Sequence, residues 1–180
     1  MSTAASPALQ RPDPAQVWDW LSELTDPEIP VVTLREMGIL RQVQVQDDHI
    51  AVTITPTYSG CPAMSQIEDD VRAALAAQGI DADVVSQLSP AWTTDWMTEH
   101  AKRKLRAYGI APPHALPASA TDAGAASVVR WMTQPPSAPM ACPHCGSSNT
   151  TETSAFGSTA CKSLHKCLDC LEPFDYFKPH

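Results

Sequence analysis

The sequence predicts an α+β fold, with a small α/β domain over residues 13–113 followed by an all-β zinc ribbon over residues 141–180. Two observations support this prediction. Apolar residues recur at helical spacing in some segments and alternate with polar residues in others, a pattern that distinguishes helices from strands. Two C-x-x-C pairs then lie near the end of the chain, on either side of a segment with strand character.

The composition of the 180-residue chain argues against several classes of function. Its net charge of -8 disfavours a general nucleic-acid-binding surface, which needs a clustered excess of lysine and arginine. No segment approaches the ~20 apolar residues of a membrane span, and residues 1–16 lack the basic start and apolar run of a signal peptide. We therefore expect a cytoplasmic protein whose six cysteines are metal ligands or reactive thiols rather than disulfides.

Capping and turn residues indicate the first elements. Residues 1–12 are mostly small and polar, so we expect a disordered N-terminus. Asp13 followed by proline is typical of a helix start. The two prolines in residues 25–30 predict a rigid turn. Within that turn, Asp26 and Glu28 form a carboxylate pair that is either functional or bonded to the backbone of its own turn.

A short helical turn and a hairpin are predicted next. Thr33 and Glu36 match a capping box, and Gly38 is suited to end the turn that they start. Residues 39–46 and 49–55 have the alternating pattern of half-buried strands and are joined by an Asp-Asp turn.

Cys61 lies where the second of these strands gives way to a helix. Pro56 ends the strand because it has no N–H to donate, Gly60 permits a tight turn, and Pro62 suits the first position of a helix. Cys61 is therefore expected at or next to the helix N-cap, where free N–H groups and the helix dipole stabilise a thiolate. A functional thiol or metal ligand is one interpretation, and a small buried cysteine that only packs is the other.

The rest of the first domain follows the same patterns. The helix after that turn is expected to end at Gly79 and to lead to a third strand over residues 82–88. Trp92 and Trp96 are predicted to begin a last helix, which Gly109 ends.

A linker is predicted between the two domains. Residues 114–140 are rich in proline and alanine and contain few large apolar residues. Residues 127–132 are the exception, and an edge strand is considered there because they are mainly apolar.

The two C-x-x-C pairs indicate a structural zinc site. Zinc prefers four tetrahedral ligands, and a two-residue spacer lets one loop supply two thiolates. The intervening residues 146–166 exceed the usual spacing of roughly 15–20 because they contain two strands and a Gly-Ser turn. Since so short a unit cannot fold on apolar burial alone, metal binding is expected to supply its folding energy. The predicted zinc ligands are Cys142, Cys145, Cys167 and Cys170.

Cys161 is left over from these pairs. On a strand, its side chain would point the same way as that of His165. Cys161 and His165 therefore either approach the zinc as additional ligands or lie apart from it, with Cys161 as a half-buried strand cysteine.

Six short segments occur together, in order, along the first domain. They are Asp26-Pro27-Glu28-Ile29-Pro30, Leu34-Arg35-Glu36-Met37-Gly38-Ile39-Leu40, Thr55-Pro56-Thr57, Cys61-Pro62, Ser89-Pro90-Ala91-Trp92 and Gly109-Ile110-Ala111-Pro112-Pro113. With this set the domain resembles the small iron–sulfur assembly family that includes SufT. The resemblance implies that Cys61 is the reactive cysteine and holds iron or an iron–sulfur cluster transiently. It also implies that Asp26, Glu28, Thr55 and Thr57 lie nearby.

The ribbon adds two further segments, residues 157–162 and 170–177. With them the whole chain is similar to the PaaD family, the D subunits of bacterial phenylacetyl-CoA epoxidase systems. The resemblance implies an accessory protein of aerobic phenylacetate breakdown, not catalytic alone, that matures or inserts an iron or iron–sulfur centre. The implied partners are a di-iron oxygenase and its flavin/iron–sulfur reductase, and a homodimer is left open.

Two alternatives to metal transfer remain. The first is a thiol-redox subunit that uses Cys61 with Cys161, which requires their Cα atoms to lie within about 7 Å. The second is a zinc-ribbon scaffold that transfers no metal. A nucleic-acid-binding ribbon is disfavoured because acidic residues offset the ribbon's lysines.

Overall fold

The computed structural model describes residues 11–46, 49–114 and 140–180. Helices and strands alternate in the first two ranges, and strands alone follow in the third, so the predicted fold class is confirmed. No helix in these ranges has the length and apolar character needed to cross a membrane. The predicted disordered N-terminus lies almost entirely outside the described residues, and the edge strand considered at 127–132 lies wholly outside them.

The described part of the chain begins with the predicted helix and turn. Helix α1 (Pro14–Trp20) has Asp13 as its N-cap. The Asp13 carboxylate accepts from the Gln16 N–H at 2.9 Å, and the Gln16 side chain accepts from the Asp13 N–H at 2.9 Å. The rigid turn that follows joins two short antiparallel strands, β1 (Thr25–Asp26) and β2 (Ile29–Thr33).

The predicted capping box is formed, although it closes a turn and not a helix. The Thr33 N–H donates to Glu36 Oε2 at 3.0 Å, and the Glu36 N–H donates to Thr33 Oγ1 at 3.2 Å. Gly38 ends the turn with a φ of +71°. A Cβ atom at Gly38 would lie 2.7 Å from Cβ of Trp96, so only glycine fits this close approach.

A three-stranded sheet forms the centre of the part of the chain that precedes residue 110, here called the N-terminal domain. Strands β3 (Leu40–Val45) and β4 (Ile50–Ile54) are antiparallel, as the hairpin pattern predicts. Helix α2 (Met64–Ala76) then crosses over to β5 (Ala82–Ser86), which pairs with β4 in parallel. The buried faces of the sheet and helices enclose one apolar core.

Helix α2 begins later than predicted. Its N-cap is Ala63 and its first residue is Met64, so Pro62 does not occupy the first helical position. The Met64 N–H donates to the Cys61 carbonyl at 3.4 Å, which shows that the chain makes one turn before the helix starts. Cys61 therefore lies in that turn, two residues before the N-cap.

The last helix also begins later than predicted. Residues Thr94–Trp96 form a single 3₁₀ turn, and helix α3 spans Glu99–Ala107. The reason is the cap at Thr98, whose side-chain oxygen accepts from the Ala101 N–H at 3.0 Å.

A strand missed by the sequence joins the N-terminal domain to the ribbon (residues 141–180). Strand β6 (Ile110–Ala111) pairs in parallel with β9 (Pro173–Phe177). Strands β7 (Thr150–Ser154) and β8 (Lys162–Cys167) complete the sheet, whose order is β6-β9-β8-β7. Because β6 has only two residues, it carries no periodic signal that sequence reasoning can detect.

Side-chain packing also joins the ribbon to the N-terminal domain. The Trp92 side chain is buried, and its indole N–H donates to the Met37 carbonyl at 2.9 Å. The centroid of the Trp92 ring lies 6.0 Å from that of Phe177, a ribbon residue in the N-terminal core. The Thr94 N–H donates to the His180 carbonyl at 3.2 Å. The end of the ribbon is thus anchored on the N-terminal domain.

Candidate functional site

The structure brings the four predicted zinc ligands together. Their sulfur atoms all lie within 4.8 Å of one another. The Cys142 and Cys170 sulfurs are 3.8 Å apart, and the Cys145 and Cys167 sulfurs are 3.6 Å apart. Four sulfurs at about 2.3 Å from one tetrahedral zinc ion are separated by about 3.8 Å. The donor set and its spacing therefore fit zinc, and the protein has a metal-binding site at this end of the ribbon.

Hydrogen bonds in the two loops hold the cysteines in place. The Gly146 N–H donates to the Cys142 carbonyl at 2.9 Å, and Gly146 has the positive φ of +78° that closes the first loop. Asp169 in the second loop accepts from the Asn149 side-chain N–H at 2.7 Å and from the Ser147 hydroxyl. These bonds tie the two loops together outside the sulfur atoms.

The second loop also favours the metal-binding form of one cysteine. The backbone N–H of Cys170, followed by that of Asp169, lowers the pKa of Cys167 to about 7, although burial opposes this. The thiolate is the form that binds a metal.

Cys161 and His165 do not belong to the four-sulfur cluster found among the described residues. Cys161 precedes β8, so strand alternation does not fix its direction. It is buried, with its sulfur 3.0 Å from Thr159 Oγ1. His165 is also buried; its Nε2 lies 2.9 Å from Ser163 Oγ, and its ring stacks on Phe174 at 5.7 Å.

Cys61 lies half-buried in the turn before α2. Burial, together with the carboxylates of Glu28 and Asp26, raises the pKa of the Cys61 thiol to about 11. The Ala63 N–H opposes this by donating to the sulfur. The expected stabilisation of a thiolate by the helix N-terminus is therefore wrong. The helix starts three residues later, and the Ala63 N–H does not outweigh burial.

Asp26 and Glu28 lie close to Cys61 and also form their own turn. Asp26 Oδ1 accepts from the N–H groups of Glu28 at 2.8 Å and of Ile29 at 3.0 Å, and burial raises the pKa of this carboxyl. Burial and the charge of Asp26 likewise raise the pKa of Glu28. The Asp26 carboxylate thus bonds to the backbone of its own turn, and both carboxylates are also near enough to act on Cys61.

The remaining positions implied by the family resemblance lie deeper. The side chains of Thr55 and Thr57 are buried. Thr55 lines a cavity of about 340 Å³ together with Arg41 and Trp96, and Cys61 is not among the residues that line it.

Sequence reasoning paired Cys161 with Cys61 only in the thiol-redox alternative, and it missed the other ribbon residues near this site. Cys161 adds to the electrostatic surroundings of Cys61, and Lys162 acts on Asp26 and Glu28. Burial raises the pKa of Tyr58, and Cys61, Cys161 and Glu28 add to this rise. No local motif signals this arrangement, because it depends on the ribbon folding back onto the N-terminal domain.

Two protein families match successive parts of the chain. The iron–sulfur cluster assembly protein family matches residues 14–86, and the PaaD zinc beta ribbon domain family matches residues 129–178. Fold and site thus define the class of protein: an assembly-type α/β domain that carries a metal-binding ribbon.

The chain is also similar to individual proteins and to a solved structure. The putative 1,2-phenylacetyl-CoA epoxidase D subunit of Escherichia coli is 45% identical over 93% of this chain and 93% of its own length. The Fe–S protein maturation auxiliary factor SufT of Staphylococcus aureus is 36% identical over 43% of this chain and 90% of its own length. A crystal structure of a domain of unknown function, DUF59, from Bacillus anthracis has a TM-score of 0.48 and 26% identity, and the match covers 51% of this chain and 90% of that one.

The chain belongs to the family of phenylacetyl-CoA epoxidase D subunits, the PaaD family. Its similarity to the Escherichia coli protein and to maturation factors supports an accessory role.

Proposed function

We propose that this protein matures a multicomponent phenylacetyl-CoA epoxidase by delivering iron or an iron–sulfur cluster to one of its components. Cys61 holds this cargo transiently, and the ribbon carries a structural zinc ion. The receiving component is the di-iron oxygenase or its flavin/iron–sulfur reductase, and the protein acts in the cytoplasm. The N-terminal domain (residues 13–113) and the ribbon (residues 141–180) divide the two tasks.

One observation carries the proposal: the chain has two different sulfur environments. The four ribbon sulfurs form a tight group that leaves no ligand position open within it. Cys61 instead lies half-exposed beside two carboxyl groups, outside that group. A site with few protein ligands suits transfer because it does not trap the metal, and thiolate sulfur suits iron.

Anaerobic transfer tests the proposal. Full-length zinc-loaded protein is loaded with Fe²⁺, or with a reconstituted cluster, and mixed with the apo-reductase or apo-oxygenase. We expect metal to appear in the acceptor with the wild-type protein and not with Cys61→Ala. Transfer at the wild-type rate by Cys61→Ala would overturn the proposal and leave a zinc-ribbon scaffold.

The electrostatic effect of Cys161 on Cys61 favours a second candidate function, in which these thiols form a reversible disulfide. The raised pKa values of both thiols oppose it, because thiol–disulfide exchange requires a thiolate. Peptide mapping of the oxidised protein under non-reducing conditions would show a Cys61–Cys161 bridge if this function is correct.

A further inference from the structure

We propose that Cys161, which the ribbon supplies, is the second sulfur ligand of the Cys61 site, so that the cargo metal is held between the ribbon and the N-terminal domain. This inference rests on the proposed function and makes it more specific. It assigns Cys161 to the transfer site and not to the zinc site of the ribbon.

Packing places Cys161 on the N-terminal side of the ribbon. Its side chain is 5% exposed and belongs to the apolar core of the N-terminal domain, against which Cys61 also packs. Cys161 lies near enough to Cys61 to influence it electrostatically, as do Glu28 and Asp26. Two thiols and two carboxyl groups, drawn from both parts of the chain, therefore lie near enough to influence one another electrostatically.

Thr159 lies near two of these groups. Its hydroxyl oxygen lies 3.0 Å from the Cys161 sulfur, and its side chain is near enough to the Glu28 carboxylate to lower the pKa of that group. A ribbon side chain thus lies between the N-terminal carboxylate and the sulfur that we assign as a ligand.

The ribbon backbone holds Cys161 in this position. The Lys178 N–H donates to the Cys161 carbonyl at 2.9 Å, and the Lys162 N–H donates to the Thr159 carbonyl at 3.1 Å. The Lys162 side chain is only 4% exposed, and its ammonium group lies 3.7 Å from the Asp175 carboxylate on β9. The loop before β8 is therefore braced by β9, and the zinc cluster stabilises the sheet to which both strands belong.

The chemistry of this group suits an exchangeable metal of intermediate softness, such as Fe²⁺ or the iron of a cluster. Two thiolates and a carboxylate are a mixed sulfur–oxygen donor set, and two protons leave the thiols as the two sulfur–metal bonds form. The donor atoms are not drawn together as tightly as the ribbon sulfurs, since the 4.8 Å grouping among the described residues contains only the ribbon set. An open set of this kind binds cargo without enclosing it.

Metal titration of the full-length zinc-loaded protein tests the inference. Fe²⁺ binding is measured anaerobically for wild-type, Cys61→Ser, Cys161→Ser and the control Lys166→Ala, an exposed position on β8. Zinc content and thermal unfolding are recorded for each variant. We expect both cysteine variants to bind Fe²⁺ more weakly by more than about tenfold, since loss even of an outer partner costs 10–100-fold. The control variant should bind like the wild type.

The outcomes separate the inference from the function on which it rests. Loss of binding in both cysteine variants, with zinc retained, supports both. Loss in Cys61→Ser alone overturns the role of Cys161 and leaves the proposed function standing. Unchanged binding in Cys61→Ser overturns both, whatever Cys161→Ser does.

A second measurement covers the case in which Cys161→Ser fails to fold. The wild-type protein is treated with a short bifunctional thiol reagent, with and without Fe²⁺, and mapped by mass spectrometry. A Cys61–Cys161 cross-link that Fe²⁺ suppresses supports the inference. Absence of this cross-link, or a cross-link that Fe²⁺ leaves unchanged, overturns it.

Discussion

The four ribbon sulfurs and the Cys61–Cys161 pair place the same side chain in two contrasting environments. In the ribbon, paired loops bring four sulfurs within 4.8 Å, and their interactions lower the pKa of Cys167 to about 7 while they raise the pKa values of Cys145 and Cys170. At Cys61, burial and two carboxylates raise the pKa to about 11. The difference teaches that the ribbon gathers several sulfurs into one ligand group, whereas burial and negative charge keep the Cys61 thiol protonated in the absence of metal.

The comparison predicts that the ribbon depends on metal far more strongly than the N-terminal domain, which is weakened only where Phe177 packs into its core. Removing zinc with a chelator, or replacing Cys142 with serine, should unfold β7–β9, because zinc binding supplies about 10 kcal/mol or more to such units. Hydrogen exchange should show loss of amide protection in these strands. Cys61→Ser is the matched control, since it should keep both zinc and protection. If the amides of β7–β9 stay protected from exchange after zinc removal, the prediction that the ribbon depends on metal is wrong.

A smaller effect is expected where the two regions meet. Phe177→Ala removes a side chain that is 1% exposed and that joins the ribbon to the core of the N-terminal domain. The free energy of unfolding should fall by about 3–5 kcal/mol. Denaturant unfolding followed by exchange should show loss of protection on both sides of the contact. Phe156→Ala, at a side chain that is 68% exposed, is the control.

If Phe177→Ala loosens only the ribbon, the two regions are energetically separate. The proposed site between them would then lack its structural basis.

The reactivity of Cys61 gives a third prediction. Its pKa of about 11, against 9.0 for an ordinary thiol, leaves about a hundredfold less thiolate at pH 7. Alkylation of the metal-free site by iodoacetamide should therefore be slow at pH 7 and rise about tenfold per pH unit up to pH 10. Peptide mapping follows the modification, and the unfolded protein provides the reference. A rate that levels off below pH 8 would show a stabilised thiolate and contradict the account.

The ion pair between Glu36 and Lys104, which involves no cysteine, gives a smaller effect on stability for comparison. Glu36 is partly buried, which raises its pKa, but Lys104 at 2.8 Å and the bond with Thr33 lower it overall. Because the folded pKa lies below that of the unfolded chain, this stabilisation is present above about pH 4.5 and is lost as the pH falls through the folded pKa.

Glu36→Gln should therefore cost about 1 kcal/mol at pH 7 and less at pH 3, because the stabilisation by charge declines below pH 4.5. Chemical denaturation at the two pH values measures this difference. An equal loss at both would show that the side chain acts through packing rather than charge.

Most of the fold was accessible from the sequence because its signals are local. The helix start at Asp13, the hairpin of β3 and β4, and the paired ribbon loops each follow from neighbouring residues. The predicted start of α2 is wrong because Pro62 is typical of a first helical position. In the structure the chain makes a turn at Cys61 first, and the helix begins at Met64. Helix α3 begins after its N-cap, Thr98, so the predicted start of this helix at Trp92 and Trp96 is too early.

Only part of the surroundings of Cys61 could be predicted from the sequence. The neighbourhood of Asp26 and Glu28 followed from the family resemblance, but the contribution of the ribbon did not. Residues far apart in sequence, such as Glu28 and Thr159, lie near each other in the folded protein, in which β6 pairs with β9. A two-residue strand and a single hydrogen bond leave no pattern in the sequence, so the placement of Cys161 needed the structure.

X-ray absorption on the full-length protein, isolated with zinc and then loaded anaerobically with iron, tests the two-environment account most directly. At the zinc edge, the account predicts four sulfur neighbours at about 2.3 Å. At the iron edge of protein loaded with Fe²⁺, it predicts at most two protein sulfurs together with oxygen neighbours. Iron surrounded by four protein sulfurs, or zinc in a mixed sulfur–oxygen shell, would contradict it.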